Sequence, residues 1–191
     1  MKNGKIVIIS GPSGVGKKTI LDQVMADKSL NLSYSISMTT RNMRPGEVNG
    51  VDYYFVNEQE FDQAIQNNEL IEWAVFCNNK YGTPKKVLQE QISQGKNVVL
   101  EIEVVGALNI LKMFKPEELL SIFIVPPSIE ELKQRLLKRG SETEDVINTR
   151  VKRACEELEV QKHYQNIVVN DEVDRVVAEI KEIIRNNTHS L

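Results

Sequence analysis

The sequence predicts an α/β fold: a three-layer core, with a parallel sheet between two layers of helices, into which a mostly β subdomain and a small lid are inserted. Two observations lead to this prediction. Short apolar runs alternate with longer segments of helical periodicity, and strands that alternate with helices form parallel sheets. Between residues 36 and 84 this alternation stops, and turn formers with alternating polar and apolar residues take its place.

The elements of the core follow from these patterns in chain order. Apolar runs typical of buried strands lie at residues 5–9, 97–102, 120–125 and 166–169. Helical periodicity covers residues 19–25, 85–94, 105–113, 129–138, 145–161 and 174–185. Ser128 followed by Glu131 is a capping-box pattern, and it supports a helix that begins at residue 129.

We expect a single domain, residues 1–191, whose core carries both insertions. The inserted subdomain is predicted to contain a strand at 52–56 and a helix near 58–67, and the lid is polar and contains small residues. Such a core suits an enzyme that closes over phosphates and excludes water. The predicted parts are a core at residues 1–35, 85–138 and 151–191, an inserted subdomain at 36–84 and a lid at 139–150.

Composition and charge exclude several classes of function. The formal net charge is -3, with acidic and basic residues interspersed, so neither nucleic acid nor a membrane surface is expected as a partner. No apolar run is as long as a membrane span, and the first strand begins too early for a signal peptide to precede it.

Cys77 and Cys155 lie far apart and in no CxxC pair, which predicts free thiols in a reducing cytoplasm rather than a disulfide or a zinc site.

A glycine-rich segment follows the first predicted strand: Gly11, Pro12, Ser13, Gly14, Val15, Gly16 and Lys17. Its spacing, Gly-x4-Gly-Lys, is that of a phosphate-binding loop, in which backbone N–H groups curl around an anion at a helix N-terminus. A glycine-rich turn without a ligand is the alternative, but strand, loop, lysine and helix come in the order that binding requires. We therefore expect a P-loop core that binds a nucleoside triphosphate, with Lys17 at the β- and γ-phosphates.

A second constellation lies in the inserted subdomain: Thr39, Thr40, Arg41, Arg44, Glu47, Gly50, Tyr53 and Phe55. Its two arginines suit a phosphate monoester, because a guanidinium group forks onto phosphate oxygens and stays charged. Tyr53, and Tyr81 further along the chain, can add neutral O–H donors. A solvated charged loop is the alternative for this segment alone, and the phosphate loop upstream favours the functional interpretation.

These two segments together resemble the guanylate kinase family. The resemblance continues in family order over nearly the whole chain, through residues 71–74, 81–83, 101–103, 126–128, 139–142 and 169–171. It implies a kinase of purine nucleotide metabolism that transfers the γ-phosphoryl group of ATP to GMP, and to dGMP, with Mg²⁺. ADP and GDP are the implied products, and the oligomeric state is not predicted.

The resemblance also implies the residues of each site. GMP would contact Ser37, Arg41, Arg44, Glu47, Tyr53, Glu72, Tyr81, Thr83 and Glu103. ATP would contact the phosphate loop together with Lys18, Thr19, Arg139 and Asn170. The residues with an implied catalytic role are Lys17, Arg44, Arg139 and Arg150.

Chemistry supports the implied preference for guanine. Guanine presents its N1–H and N2–H₂ donors side by side, and the Glu72 carboxylate can accept both. Adenine would turn the N1 lone pair toward that carboxylate and repel it. A site built around such hydrogen bonds discriminates between bases by roughly 10⁴ or more, because the wrong base leaves a buried charge unpaired.

Two lid arginines, Arg139 and Arg150, match family positions that would reach the transferring phosphoryl group as charge spreads over its oxygens. Arg135 is a candidate for the same role, but an ion pair with Glu131, four residues earlier, would explain an arginine at this position equally well. Asn170 matches a family position near adenine, and a simple turn former is the alternative.

The chain departs from the family pattern at a few positions. Lys18 replaces the residue usual after the loop lysine, so we expect phosphates and water to hold Mg²⁺, with Thr19 as the one suggested protein ligand. Glu103 stands where many members carry Asp, and Val105 where Gln is usual. The alternative function is a non-catalytic guanylate-kinase-like module that binds phosphorylated peptides. Such modules usually lack an intact phosphate loop, which this chain keeps.

Overall fold

The computed structural model describes residues 3–138 and 143–188. Its strands are β1 (Ile6–Ser10), β2 (Leu32–Tyr34), β3 (Met38–Thr39), β4 (Tyr54–Phe55), β5 (Leu70–Phe76), β6 (Asn79–Pro84), β7 (Asn97–Glu101), β8 (Leu119–Val125) and β9 (Asn166–Val169). Its helices are α1 (Lys17–Met25), α2 (Glu58–Gln66), α3 (Lys85–Ser93), α4 (Val104–Met113), α5 (Ile129–Lys138), α6 (Glu144–Leu158) and α7 (Val173–Thr188). Short 3₁₀ helices lie at Lys28–Leu30 and Glu159–His163.

The core sheet has the strand order β2-β7-β1-β8-β9, and every pair in it is parallel. β1 sends alternate side chains to opposite faces. Val7 and Ile9 pack with α1 and α7 on one face, and Ile6 and Ile8 pack with α3 and α4 on the other. Because helices cover both faces, β8 is buried at every position. The predicted three-layer parallel core is confirmed.

The inserted subdomain contains the second sheet, of order β4-β3-β6-β5, with α2 packed against it. β5 and β6 form an antiparallel hairpin, and Cys77 and Asn78 turn the chain between them with positive φ angles of 47° and 62°. Asn57 and Glu60 form a reciprocal capping box at the start of α2. The prediction of a mostly β insertion with one helix at this position is therefore correct.

Some details differ from the prediction. The core has a fifth strand, β2, which is only three residues long and only partly buried, so it left no apolar run in the sequence. The helix predicted to run to residue 161 ends at Leu158, and a 3₁₀ helix continues the chain. Residues 145–150, assigned both to the predicted helix at 145–161 and to the lid at 139–150, are helical in the structure, where α6 begins at Glu144. Residues 139–142 of the predicted lid lie outside the described chain.

Two expectations from composition can also be compared with the structure. Across residues 3–138 and 143–188, no helix has the length and apolar character needed to cross a membrane. Cys77 and Cys155 are exposed free cysteines, as predicted.

Candidate functional site

The carboxyl ends of the parallel strands meet at one edge of the core sheet, and the phosphate loop lies there between β1 and α1. Gly16 precedes α1 with a φ angle of 101°, which favours glycine. A Cβ atom on Gly16 would also lie 2.8 Å from Asn170 Nδ2. The tight loop therefore depends on glycine at this position.

Lys17 points back into the phosphate loop. Its Nζ donates hydrogen bonds to the carbonyl oxygens of Gly11 at 2.6 Å and Pro12 at 3.2 Å. Burial lowers the pKa of Lys17, and the carboxylates of Glu103 and Glu101 oppose that shift. The ammonium group thus lies where an anion held by the loop would meet it.

A cavity of about 240 Å³ opens beside the loop. Its lining includes Ser13, Lys17, Lys18, Thr19, Glu101 and Glu103. Carboxylate and hydroxyl oxygens are ligands that suit Mg²⁺, which usually keeps several waters when it is bound with phosphates. Among residues 3–138 and 143–188, no group of three or more potential side-chain ligands is placed to hold a metal ion. This donor set fits an ion held mainly by phosphates and water, with few protein ligands.

Helix α6 contacts the phosphate loop through two side chains. Arg150 donates to Ser13 Oγ at 2.8 Å, and Glu157 Oε2 accepts from the Ser13 N–H at 3.3 Å. Arg153 lies between them on the helix, and its Nε donates to Glu157 Oε1 at 3.0 Å. Arg150 is therefore at the loop, whereas Arg139 lies outside the described residues. The sequence analysis missed Arg153 and Glu157, although their spacing from Arg150 would have placed all three on one helix face.

Asn170 follows β9 and is buried. Its Nδ2 donates to the carbonyl oxygen of Val15 at 2.6 Å, and its own carbonyl oxygen accepts from Arg135 at 2.9 Å. Arg135 also pairs with Glu131 at 3.3 Å, which is the alternative that the sequence offered. Asn170 thus ties the last strand of the sheet to the phosphate loop.

In the inserted subdomain, Glu47 contacts both arginines of the second constellation. Its Oε1 pairs with the Arg41 guanidinium at 2.7 Å, and its Oε2 accepts from the Arg44 backbone N–H at 2.7 Å. The hydrogen bond that Arg41 donates to Glu47 raises the pKa of Arg41. Arg41 also lies over the rings of Tyr53 and Phe55, 5.4 and 5.5 Å from their centroids. Arg41 is thereby held in place, while Arg44 is exposed.

Aromatic rings surround this arginine pair. The rings of Tyr53 and Tyr81 meet edge to face with centroids 6.0 Å apart, and Phe76 meets Tyr81 in the same way at 6.2 Å. Burial raises the pKa of Tyr53 to about 12, so its phenol stays protonated and can donate a hydrogen bond. The structure therefore brings Tyr53 and Tyr81 together with Arg41, and their binding of a phosphate stays a prediction.

Glu72 and Thr83 face each other across the β5–β6 hairpin. The Thr83 hydroxyl donates to Glu72 Oε1 at 2.6 Å, and both side chains are buried. Burial raises the pKa of Glu72, and the Thr83 hydrogen bond opposes the shift. Ser37 lies next to this sheet, immediately before β3, where its carbonyl oxygen accepts from Tyr54. The hairpin thus presents a single buried carboxylate with one oxygen already bonded.

Glu103 precedes α4 and lines two cavities. One is the cavity beside the phosphate loop, and the other, of about 480 Å³, lies between β5, α4 and α6. Burial raises the pKa of Glu103, and nearby Lys17 opposes the shift. Its neighbour Glu101 accepts from the Tyr34 hydroxyl at 2.8 Å, a contact that the sequence analysis missed. These acids lie between the phosphate loop and the inserted subdomain.

Comparisons with known proteins agree on one family. The sequence model of the family described as guanylate kinase matches residues 3–187. A guanylate kinase of Malacoplasma penetrans is 55% identical over 183 residues, which are 96% of this chain and 93% of that protein. A guanylate kinase of Mesoplasma florum is 49% identical, and the match covers 96% of this chain but 62% of that protein. The crystal structure of guanylate kinase from Anaplasma phagocytophilum superposes with a TM-score of 0.82 at 33% identity, covering 99% of this chain and 88% of that one.

Proposed function

This chain belongs to the guanylate kinase family, and we propose that it is a nucleoside monophosphate kinase that transfers the γ-phosphoryl group of ATP to GMP, and to dGMP. The observation that carries the choice of acceptor is the buried Glu72 carboxylate, held by Thr83 on the hairpin that faces the core. A carboxylate there accepts from a base with two adjacent N–H donors, as guanine has.

We propose that Arg41, Arg44, Tyr53 and Tyr81 hold the phosphate of GMP. Arg41 is already oriented by Glu47 and two aromatic rings, so little of its side-chain freedom is lost when it binds an anion. Arg44 has no ion-pair partner in the part of the chain that the structure describes, and it is exposed. This arrangement supports a site in which Arg41 is preformed and Arg44 turns inward with the substrate.

On the base side, Glu72 accepts from guanine N1–H and N2–H₂. The hydroxyls of Ser37 and Thr83 lie on the same sheet and can reach the remaining polar atoms of the base. Glu103 contributes a second carboxylate from the start of α4. The raised pKa values of both acids reflect burial, which also strengthens each hydrogen bond made there.

On the donor side, the phosphate loop wraps the triphosphate, and Lys17 reaches its outer phosphates. Arg150, already at Ser13, and Arg139 supply positive charge to the phosphoryl group in transfer. Phosphoryl transfer needs little covalent assistance, so positioning and charge supply most of the acceleration. Removing one such donor commonly costs about 10²–10³ in rate.

Mg²⁺ would bind in the cavity beside the loop, whose lining offers the Thr19 hydroxyl and the Glu101 carboxylate as oxygen donors. The ion would neutralise phosphate charge during transfer. Glu101 is held by Tyr34, so its carboxylate keeps one orientation toward that cavity. Because the protein offers so few ligands, we expect the metal to enter with the nucleotide rather than before it.

The test is an ADP-release assay with ATP and Mg²⁺ that offers GMP, dGMP, AMP, CMP, UMP and dTMP in turn. Turnover with GMP and dGMP far above AMP is expected. Folded protein that turns over none of these acceptors would favour the phosphopeptide-binding module instead. A titration with GMP would then separate a damaged enzyme from a protein that has no nucleotide site.

A further inference from the structure

The base pocket contains a close approach between β5 and the first turn of α4. Gly106 is the third residue of α4 and is buried. A Cβ atom on Gly106 would lie 2.5 Å from Glu72 Oε2, 3.1 Å from Glu72 Cδ and 3.6 Å from Glu72 Oε1. Apart from the surrounding backbone of α4 itself and the two chain neighbours, these are the three heavy atoms nearest to that position. A side chain at residue 106 would therefore occupy the space of one particular carboxylate.

The backbone itself gives no reason for glycine at this position. Gly106 is not among the glycines with positive φ in the described chain, and it lies inside a regular helix. Glycine in a helix interior is less favourable than alanine. The space that Glu72 needs is therefore the feature of the structure that calls for glycine.

The Glu72 side chain cannot move without losing a hydrogen bond. Its side chain is buried, and the hydroxyl of Thr83 holds Oε1 at 2.6 Å. A methyl group at residue 106 would meet only the far end of this flexible side chain, so the helix and the sheet can stay in place. The carboxylate would have to rotate or retreat, and its hydrogen bond with Thr83 would break or lengthen.

We propose that Gly106 is a positioning residue for base selection: its lack of a side chain keeps the Glu72 carboxylate where a guanine base can donate to it. The proposal rests on the proposed function of the same site. It assigns a role on the acceptor side to a glycine of α4 that the sequence analysis did not single out.

The test is Gly106→Ala, assayed with GMP, AMP and ATP. The value of kcat/KM for GMP should fall by about tenfold or more, mainly through a higher KM, because the variant misplaces a buried hydrogen-bond acceptor. The KM for ATP should stay unchanged, and the preference for GMP over AMP should fall. Alanine favours the helix, whereas the displaced Glu72 carboxylate loses its bond with Thr83; these two effects oppose each other, so the melting temperature should change little.

Two controls separate positioning from a general effect on α4. Lys112→Ala, at an exposed position in the last turn of the same helix, should leave GMP kinetics unchanged. In a Glu72→Ala background, Gly106→Ala should cause no further loss, because the atoms that the methyl group meets are gone.

Wild-type GMP kinetics in folded Gly106→Ala would overturn the inference. An equal rise in KM for ATP together with a lower melting temperature would also overturn it, since the effect would then be structural. Failure of the proposed function would give a different result, because the wild-type protein itself would then show no preference for GMP.

Discussion

Arg153 of α6 lies over the ring of Phe76 at the end of β5, with its guanidinium carbon 3.9 Å from the ring centroid. The same side chain donates to Glu157, and Glu157 accepts from the Ser13 N–H in the phosphate loop. One helix therefore touches the strand that carries Glu72 and the loop that binds phosphates. Movement of the inserted subdomain against the core must alter these contacts.

The Arg153–Phe76 contact should contribute about 0.5–1 kcal/mol to the free energy of unfolding, as expected for a partly exposed cation–π pair. A double-mutant cycle with Arg153→Met and Phe76→Leu in urea unfolding measures it. Phe76→Leu combined with Arg175→Met, a surface arginine on α7, is the matched control and should be additive. Additive effects in the Arg153 cycle would mean that the contact contributes nothing.

Lys17→Ala should abolish most turnover while GMP still binds, because the lysine serves the triphosphate side. Loss of one positioned positive charge is expected to lower kcat by about 10²–10³. Steady-state assays together with a GMP titration provide the measurement. Lys112→Ala, at an exposed position in the last turn of α4, is the control. Unchanged turnover in Lys17→Ala would remove the phosphate-loop assignment.

Glu72→Gln should sharply lower the ratio of kcat/KM for GMP over AMP. The amide keeps the size of the side chain but replaces one acceptor by a donor that faces the N–H groups of guanine. Glu69→Gln, an exposed change just before β5, should leave the ratio unaltered. If Glu72→Gln also left it unaltered, another residue would select the base.

The pKa of Glu72 is raised by burial above its ordinary value of 4.5, so the folded protein takes up this proton at a higher pH than the unfolded chain. Its charged form therefore costs stability above the raised pKa, and that cost disappears as the pH falls. Binding of GMP needs the charged form of Glu72, because guanine donates its N–H groups to the carboxylate. The KM for GMP should thus rise as the pH falls through the raised pKa, which lies above 4.5. In Glu72→Gln, the KM for GMP should no longer rise over this range of pH. A rise that remained would come from another acid, such as Glu103.

Asn170→Ala should raise the KM for ATP and lower kcat, because it removes the hydrogen bond that holds Val15 in the phosphate loop. Loss of this buried bond should also lower the free energy of unfolding by about 1–3 kcal/mol. The preference for ATP over GTP as donor should not change. A changed donor preference would instead support the contact with adenine that the resemblance implied.

The sequence predicted the core strands and most helices because long apolar runs and helical periodicity persist under any packing. It missed β2 and the strands β3, β5 and β6 as separate elements. Those strands are short or carry polar residues such as Glu72 and Thr83, which face a site rather than a core. Local composition cannot reveal a strand whose inward side chains are chosen for binding.

The residues of the candidate site divide in the same way, into those that local motifs could predict and those that depend on distant contacts. Lys17 stands in a local motif whose spacing predicted it, and Arg41 was predicted with the support of the phosphate loop upstream and of the family resemblance. Gly106 was not predicted, because its importance comes from an approach to Glu72 across more than thirty positions of the chain. A contact of that kind appears only when α4 and β5 are placed together.

The hydrogen bond from Asn170 to Val15 joins residues that are 155 positions apart. During synthesis, the phosphate loop emerges early but gains this support only when β9 has been made. A nascent chain that ends before residue 170 therefore has the nucleotide-binding motif without its complete geometry. A ligand that binds only the completed loop would stabilise the finished fold and not these shorter chains, because a ligand stabilises the state to which it binds.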